Sequence, residues 1–421
     1  MRERQAPPAA AVDERRHAAN ATAFERLVGG HPFLIDVRPA VDVVPGMHPD
    51  LVLHAGPPLD WDEMVPPMQA AVQGALVHSG RCRTLDEAAA MARDGRVQFA
   101  PAHDHGMVGP MAGVVSATMP VWVVRNEMYG NLAFATINEG LGRVLRFGAN
   151  DEPVLARLAW IRDVLAPSLG AALRRSGPID LRGMVAEALH RGDEAHNRNK
   201  AATALFIRLI APHLCRAVDG EVAAQCLEFI GGNDHFFLNL SIAHSKALTD
   251  AVGTVPHSSV VTAMAGNGAR FGLRVAGLGP AWLTAPPDPP VARMFEGFTQ
   301  VDGVPLMGDS YVSEVAGIGA FAMAAAPAIA GFIGGTAGEM VAHTRRMYEI
   351  TVGEHPSFTI PALDFRGTPV GIDVDRVVAS GIRPILNTGI AGRRPGVGQV
   401  GAGIASAPLA CFVEAASRLA R

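Results

Sequence analysis

The sequence predicts an α/β protein, in which a Rossmann-like N-terminal α/β domain is followed by a central helical domain and a C-terminal mixed α+β domain. Three observations favour this class. The 421 residues exceed what one compact core usually holds. Apolar runs of strand length alternate with helical patterns as far as residue 150, which is typical of an α/β unit with a mainly parallel sheet. Helical patterns then continue to about residue 255, where strands and glycine turns return.

Composition narrows the class of function. Hydrophobic residues make up 49% of the chain and charged residues 18%, so part of the surface is expected to be hidden in a homo-oligomer. The net charge of −4, without a basic stripe, gives no reason to expect nucleic-acid binding. The four cysteines lack paired spacing, which fits a reduced cytoplasmic setting. Residues 1–18 are charged and have no apolar core, so a disordered leader is predicted rather than a signal peptide.

The N-terminal domain is predicted over residues 19–150. Its elements are expected, in chain order, at Ala18–Val28 (helix), Phe33–Val37 and Leu51–Ala55 (strands), Met64–His78 and Thr84–Asp94 (helices), and Val97–Ala100 and Met119–Val124 (strands). The loop 101–113 follows the carboxyl end of a strand, where open α/β sheets bind ligands. His103 in this loop is therefore a candidate acid–base or substrate-binding residue, with a metal ligand and a structural histidine as alternatives.

The central domain, residues 151–255, carries a polar stretch within apolar helices. A long helix is predicted over Leu181–Cys215. At 3.6 residues per turn, four polar residues would share one face of that helix, namely Asp193, His196, Asn197 and Lys200. Such a stripe costs free energy in a buried helix unless it is paired or functional, although a solvated face with local salt bridges would also explain it.

The next predicted helix, Phe236–Val252, would be capped by Asn233 or Asp234. Its polar face is expected to carry three residues, namely His235, Asn239 and Lys246. If this face met the polar stretch of the preceding helix, the two would form a proton-transfer site with tunable pKa values. The chain has only two lysines, and a position that keeps Lys can be one where the planar fork of Arg cannot substitute; two survivors could also be chance.

The C-terminal domain, residues 256–421, is predicted to begin with strands at Val260–Met264, Gly272–Val275 and Trp282–Ala285, with Asn267–Gly268 as a hairpin turn. The uncharged stretch Val315–Gly335 is mostly Ala and Gly, which insert weakly into a membrane, so a buried helix capped by Asp309 and Ser310 is predicted. Further helices are expected at Gly338–Tyr348, from Asp373 to Ala379, and at Pro408–Leu419.

A glycine-rich stretch, Asn387–Gly403, lies between a predicted strand and the last predicted helix. Its six glycines offer backbone N–H groups at a helix entrance, and Arg393 and Arg394 lie among them, so it is predicted to hold a small anionic substrate. A structural loop rich in turns is the alternative. The spacing G-x-G-x-x-G occurs within the stretch, but the strand that should lead into it and the acidic residue that should follow are missing, so no nicotinamide cofactor is expected.

Several longer motifs resemble one bacterial family. They are His54-Ala-Gly-Pro-Pro58, His103 with Val108-Gly-Pro-Met111, Gly192-Asp-Glu194 with His196 and Arg198-Asn199, Asp234 with Phe237-Leu-Asn-Leu240, Val261-Thr-Ala-Met264, Gly308-Asp-Ser310, and Asn387-Thr-Gly-Ile-Ala391 with Gly396 to Gly403. Through them the sequence resembles the YlbE-like family, long described as a domain of unknown function, over nearly the whole chain from about Asn20. The best-understood member of that family is one subunit of oxamate carbamoyltransferase.

This resemblance implies an activity and partners. The family enzyme interconverts oxalurate plus phosphate with oxamate plus carbamoyl phosphate, and it works with an FdrA-type subunit and a third, smaller subunit. A carbamoyltransferase subunit acting on a small carboxylate amide or ureido acid is therefore expected, without a cofactor or a metal. A hydrolase of a small amide or ureido compound and a non-catalytic ligand-binding or scaffold subunit are the alternatives.

The candidate site residues fall into two sets. The candidate catalytic residues are His103, Asp193, His196, His235 and Lys246. The candidate substrate-binding residues are Arg198, Asn199, Asn239, Asn267, Asp309, Ser310, Asn387, Thr388, Gly389 and Gln399.

Overall fold

The computed structural model describes residues 9–421, with side chains described from residue 14 onward. Its first part contains helices α1 (Ala9–Gly29), α2 (Ala40–Val43), α3 (Pro66–His78) and α4 (Leu85–Arg93), and strands β1 (Pro32–Pro39), β2 (Leu51–His54), β3 (Gln98–Pro101), β4 (Pro120–Asn126) and β5 (Leu132–Thr136). Residues 9–18 of the expected leader belong to α1, whereas residues 1–8 lie outside the described residues.

The central part is helical, as predicted. It contains α5 (Glu152–Trp160), α6 (Ala166–Ser176), the short strand β6 (Ile179–Asp180), α7 (Leu181–His190), α8 (Lys200–Ala217), α9 (Gly220–Gly231) and α10 (Leu238–Val252). Helix α10 is buried on all sides between Leu238 and Thr249, and it packs against α1, β4 and β5. A helix buried all round needs neighbours on every side, so α10 joins the central and N-terminal parts.

The last part mixes strands and helices. In chain order it contains β7 (Val261–Asn267), β8 (Phe271–Val275), β9 (Leu283–Ala285), β10 (Val291–Met294), β11 (Met307–Gly308), α11 (Val312–Val315), α12 (Ala330–Ile333), α13 (Ala337–Met347), β12 (Thr351–Ile360), β13 (Arg366–Ile372), α14 (Val374–Ser380), β14 (Ile385–Ala391), β15 (Gln399–Ser406) and α15 (Leu409–Leu419). The predicted hairpin turn at Asn267–Gly268 and the cap at Asp373 are both confirmed.

The α/β class is confirmed, but the expectation of a mainly parallel sheet is wrong. Among the strands of residues 9–421, β2 and β3 alone pair with each other in parallel, across the crossover that contains α3 and α4. The four-stranded sheet that contains β1 has the order β5-β4-β1-β6, and all of its strands pair antiparallel. Strands β4 and β5 follow each other through a short turn, and short turns join antiparallel neighbours. Alternation of strands and helices therefore identified the elements without fixing which strands pair.

One apolar core extends over regions predicted as separate domains. Buried residues of a single cluster run from Ala23 through α10 to Val370. Strand β6, which follows α6, extends the N-terminal sheet by pairing with β1. The division into three domains stays a prediction.

The predicted long helix at Leu181–Cys215 is in fact two helices. Residues 191–199, here called the polar loop, separate α7 from α8. Gly192 and Ala195 have φ angles of 87° and 59°, which a right-handed helix does not allow. The Asp193 carboxylate accepts the N–H of Ala202 at 2.9 Å, so it satisfies an N–H in the first turn of α8. The single helical face proposed for the polar residues therefore does not exist.

The stretch Val315–Gly335 is also broken into short turns. It is buried as predicted as far as Ala326, but Gly317 and Gly319 have φ angles of 82° and 63°, and Pro327 follows. Asp309 and Ser310 cap nothing through their side chains at the start of α11, as far as the described residues go. Within residues 9–421 no helix has both the length and the apolar character needed to cross a membrane.

The glycine-rich stretch is a β-hairpin and not a loop at a helix entrance. Strands β14 and β15 pair from Ile385 to Ser406, and β15 also pairs with β10. The amide groups predicted to hold an anion are therefore largely engaged in strand pairing. Gly403 is required because an ideal Cβ there would lie 2.6 Å from Ala292 Cα of β10.

We expect the substitution Gly403→Ala to lower the free energy of unfolding by about 1–3 kcal/mol, because the added methyl group forces β10 away from β15. Gly331→Ala in α12 is the matched control, since no described heavy atom lies within 4 Å of its ideal Cβ. Urea unfolding of both variants measures the difference. Equal stability of the two variants would show that the β10–β15 contact is not tight.

Candidate functional site

The polar loop is held in place by the carboxylate of Glu194. Glu194 is fully buried and accepts the backbone N–H groups of His196, Asn197 and Arg198, the last two at 2.7 and 2.8 Å. It also accepts the side-chain amide of Asn387 in β14 at 3.2 Å. One carboxylate thus fixes the backbone of the loop and joins it to the C-terminal hairpin.

His196 lies between this carboxylate and a second one. Its Nδ1 is 2.9 Å from Oε1 of Glu314 in α11, and both side chains are buried. The same Glu314 oxygen accepts the N–H of Ala320 at 3.0 Å. Gly319 passes close by, and an ideal Cβ there would lie 2.6 Å from Glu314 Oε1. The pair therefore depends on a glycine with a positive φ angle at residue 319.

The protonation of this group follows from burial and charge. Burial raises the pKa of Glu194 to about 7, against the charge of His196 and its hydrogen bond, which lower it. Burial alone would lower the pKa of His196, but the charge and hydrogen bond of Glu314 and the charge of Glu194 outweigh it, so this pKa is raised. The carboxyl groups of Glu314 and Glu194 thus favour the protonated form of the His196 imidazole.

A cavity of about 210 Å³, here called the loop pocket, opens beside the polar loop. Its polar lining consists of Asn197, Arg198, Asn199, Lys200, Asp234 and His235. Two buried lining atoms, Nδ2 of Asn197 and Oδ1 of Asn199, have no hydrogen-bond partner in the part of the chain that the structure describes. The first is a donor and the second an acceptor, and both belong to residues that line the pocket.

Charged and ionisable groups surround that pair. Lys200 forms an ion pair of 2.6 Å with Asp234, and Arg198 Nε lies 3.4 Å from Asp193. Burial and the charge of Arg146 lower the pKa of His235 to about 3, so its imidazole is neutral at neutral pH. The pocket therefore combines cations with an uncharged proton acceptor.

A second cavity of about 350 Å³, here called the Lys246 cavity, lies at the other end of α10. Lys246 donates to the carbonyl of His103 at 3.2 Å and to Asp250 at 2.6 Å. Asp309 lies 3.7 Å from His103 Nε2 and accepts the N–H groups of Gly56 and Gly109. Burial raises the pKa of Asp309 to about 7. Two loops that follow β2 and β3 are thereby fastened to the start of α11.

The structure brings some of the predicted residues together and separates others. Asp193, His196, Arg198, Asn199, His235 and Asn387 gather around the polar loop, whereas His103, Lys246 and Asp309 gather at the Lys246 cavity. These two groups share no lining residue among the described residues. The two predicted polar segments therefore meet only in part, because His235 lines the loop pocket with Lys200 whereas Lys246 lines the other cavity.

The remaining candidates have hydrogen bonds or packing of their own. Asn239 bonds to Asn138 at 2.8 Å and to the carbonyl of Thr136 at 2.7 Å. Thr388 bonds to the hydroxyl of Tyr311 at 2.9 Å. Asn267 closes its own hairpin turn, Ser310 is buried beside Gly308, and Gly389 packs against Gln399 across β14 and β15. Their roles as substrate ligands stay predictions.

Sequence reasoning missed Glu194, Glu314, Arg146 and Arg274. Glu194 follows Asp193 directly, but its inward direction depends on the break between α7 and α8. Glu314 lies in the first turn of α11, where a solvated carboxylate is common, so the residue type alone does not mark it as buried. Within residues 9–421, no three His, Cys, Asp or Glu side chains come close enough to hold a metal ion.

Known proteins match this chain over nearly its whole length. The family model described as oxamate carbamoyltransferase subunit AllG matches residues 97–310. The chain is 44% identical to the oxamate carbamoyltransferase subunit AllG of Escherichia coli over 406 residues, 96% of this chain and 97% of that protein. It is 47% identical to the uncharacterized E. coli protein YahG over 399 residues, 94% of this chain and 84% of that protein.

A solved structure has the same fold. The crystal structure of a conserved protein of unknown function from Enterococcus faecalis V583 matches with a TM-score of 0.96 and 43% identity. The match covers 98% of this chain and 99% of that chain.

We expect the pH dependence of stability to report on Glu194. Its pKa is about 7 in the folded protein and near its ordinary value of 4.5 in the unfolded chain, so the folded state binds more protons between these values and stability falls as pH rises. The raised pKa of His196 acts in the same direction, with stability lost as pH rises above 6.5 through the folded value.

In the variant Glu194→Gln this ionisation is absent. The variant should be less stable than the parent at pH 5, and the deficit should shrink by up to roughly 3 kcal/mol by pH 8. Urea unfolding at several pH values measures the deficit, with Glu187→Gln on the exposed face of α7 as the control. A deficit that does not change with pH would mean that Glu194 has an ordinary pKa.

Proposed function

Because the chain belongs to the family of oxamate carbamoyltransferase subunit AllG, we propose that it is a subunit of a carbamoyltransferase acting on a small carboxylate that carries an amide or ureido group. The corresponding reaction is oxamate plus carbamoyl phosphate to oxalurate plus phosphate. The observation that carries the proposal is the loop pocket, where an unpartnered donor, an unpartnered acceptor and two cations converge within the described residues.

The lining of the loop pocket suits an amide next to a carboxylate. The Asn197 Nδ2 donor complements an amide carbonyl, and the Asn199 Oδ1 acceptor complements an amide N–H. Arg198 and Lys200 complement the adjacent carboxylate. A volume of about 210 Å³ is sufficient for a molecule of the size of oxamate or oxalurate.

His235 is the proposed proton acceptor. In the transfer, the amide nitrogen of the acceptor forms a bond to the carbamoyl carbon, the bond from that carbon to the phosphate oxygen breaks, and the nitrogen loses a proton. His235 lines the loop pocket and is uncharged at neutral pH, so it can take that proton. A carboxylate bound beside the imidazole would raise its pKa and make it a stronger base.

Glu194, His196 and Glu314 are proposed as positioning residues. They do not line the loop pocket among the described residues, but they fix the backbone from which Asn197, Arg198 and Asn199 extend. Precise orientation of such groups is worth a large part of the rate in a reaction between two substrates. The carboxylates therefore act on the reaction through the loop.

The proposed reaction also involves partner subunits. The relative from E. coli is named as a subunit, which supports an assembly for this chain as well. We propose an FdrA-type subunit and a third, smaller subunit as the partners, and a cytoplasmic homo-oligomer as the form of this chain. The modest charged fraction of 18% is consistent with a surface that is covered by other chains.

The test is phosphate-dependent formation of carbamoyl phosphate from oxalurate by the assembled complex. We expect His235→Gln to lower kcat by about 100-fold or more with little change in KM, because it removes the base and keeps the pocket. We expect Asn197→Ala to raise KM for oxalurate by about fivefold, since it removes one hydrogen bond. His213→Gln, in the last part of α8 and outside the loop pocket, is the control for a histidine substitution.

Three outcomes would contradict the proposal. Turnover without phosphate would identify a hydrolase. A complex that stays fully active with His235→Gln would identify a ligand-binding or scaffold subunit. No turnover of any ureido acid, with all partner subunits present, would exclude carbamoyl transfer at this site.

A further inference from the structure

Several side chains that line the Lys246 cavity have polar atoms without a hydrogen-bond partner among the described residues. Neither ring nitrogen of His103 has a hydrogen-bond partner among the described residues, although the side chain is fully buried and lines the cavity. A buried polar group that is left unpaired destabilises the folded protein. A ligand that pairs with the imidazole would explain why the cost is tolerated.

Two buried cations line the same cavity. Lys246 is 2% exposed, and its ammonium group has three donors, of which the carbonyl of His103 and the carboxylate of Asp250 take two. Arg274 is 9% exposed, forms an ion pair with Asp104 and stacks on Trp282 at 4.2 Å. Within the described part of the chain its Nε has no partner. After pairing with its carboxylate, each cation thus still has an N–H group without a partner among the described residues.

The ion pairs make this arrangement stable without extra charge. Asp250 and Asp104 balance Lys246 and Arg274, which reduces the cost of burying the two cations. Ion pairs alone do not require further polar groups. His103 and Arg274 both line this cavity of about 350 Å³, and the ring nitrogens of the first and Nε of the second have no partner among the described residues.

We propose that the Lys246 cavity is a binding site for a small tetrahedral oxyanion, namely inorganic phosphate or a phosphoryl group. The donors come from four separate elements: Lys246 on α10, Thr262 on β7, Arg274 on β8, and His103 in the turn after β3. Donors on several sides match an anion with oxygens on several sides, whereas a planar carboxylate offers two. The proposal of an oxyanion site does not depend on the proposed role in carbamoyl transfer.

The test is titration of the purified chain with inorganic phosphate, by isothermal titration calorimetry at constant ionic strength. We expect one saturable site per chain, with sulfate competing and oxalate binding more weakly. Arg274→Gln should weaken phosphate binding by about tenfold, as expected for the loss of a charged hydrogen bond. Thr262→Val, which keeps the shape of the side chain, should weaken it by about threefold and guards against a folding defect in the first variant.

One control tests the specificity of the effect. Arg383→Gln removes an exposed arginine that is ion-paired with Asp288 and should leave phosphate binding unchanged. The proposal is overturned if no saturable phosphate binding occurs, or if Arg274→Gln and Thr262→Val bind phosphate as the parent does.

Discussion

The hydrogen bond between His196 and Glu314 is the constraint on which the organisation of this molecule depends. It joins the polar loop to α11, and Asn387 extends the connection to the C-terminal hairpin through Glu194. The charges of Glu314 and Glu194 raise the pKa of His196, so the two buried carboxyl groups and the imidazole stabilise one another. Removing one partner of a buried ion pair typically costs about 3–5 kcal/mol. Three segments far apart in the sequence are thus obliged to fold together.

Helix α10 transmits this constraint to the rest of the protein. Ser241 donates to the carbonyl of Ala195 in the polar loop, and Asn239 contacts the N-terminal part through Asn138. Between one and two turns further along the same helix, Lys246 lines the Lys246 cavity. Because α10 is buried on all sides, it cannot shift toward one pocket without disturbing the other. The two cavities are therefore positioned by one rigid element, although their lining residues differ.

Sequence patterns predicted local features well and tertiary pairings poorly. Strands, the Asn267–Gly268 turn and the Asp373 cap depend on neighbouring residues, and each is found close to its predicted position. The break at residues 191–199 was missed because a single glycine such as Gly192 can occur inside a helix. The positive φ angle of Ala195 is not evident from its residue type. The glycines after Asn387 were assigned to a ligand, whereas Gly403 is required by the approach of β10, a strand about 100 residues away in the sequence. No periodicity encodes that approach.

The surroundings of the two lysines explain why lysine suits one of the two positions better than arginine does. Of 36 basic residues only Lys200 and Lys246 are not arginine, and they line the loop pocket and the Lys246 cavity respectively. At Lys246 the two acceptors, a backbone carbonyl and Asp250, suit a compact ammonium group with three donors. A guanidinium group would need acceptors for five donors inside a cavity whose walls already hold Arg274. The preference for lysine at the buried position therefore follows from donor count and size, whereas exposed Lys200 has no such restriction from its ion pair with Asp234.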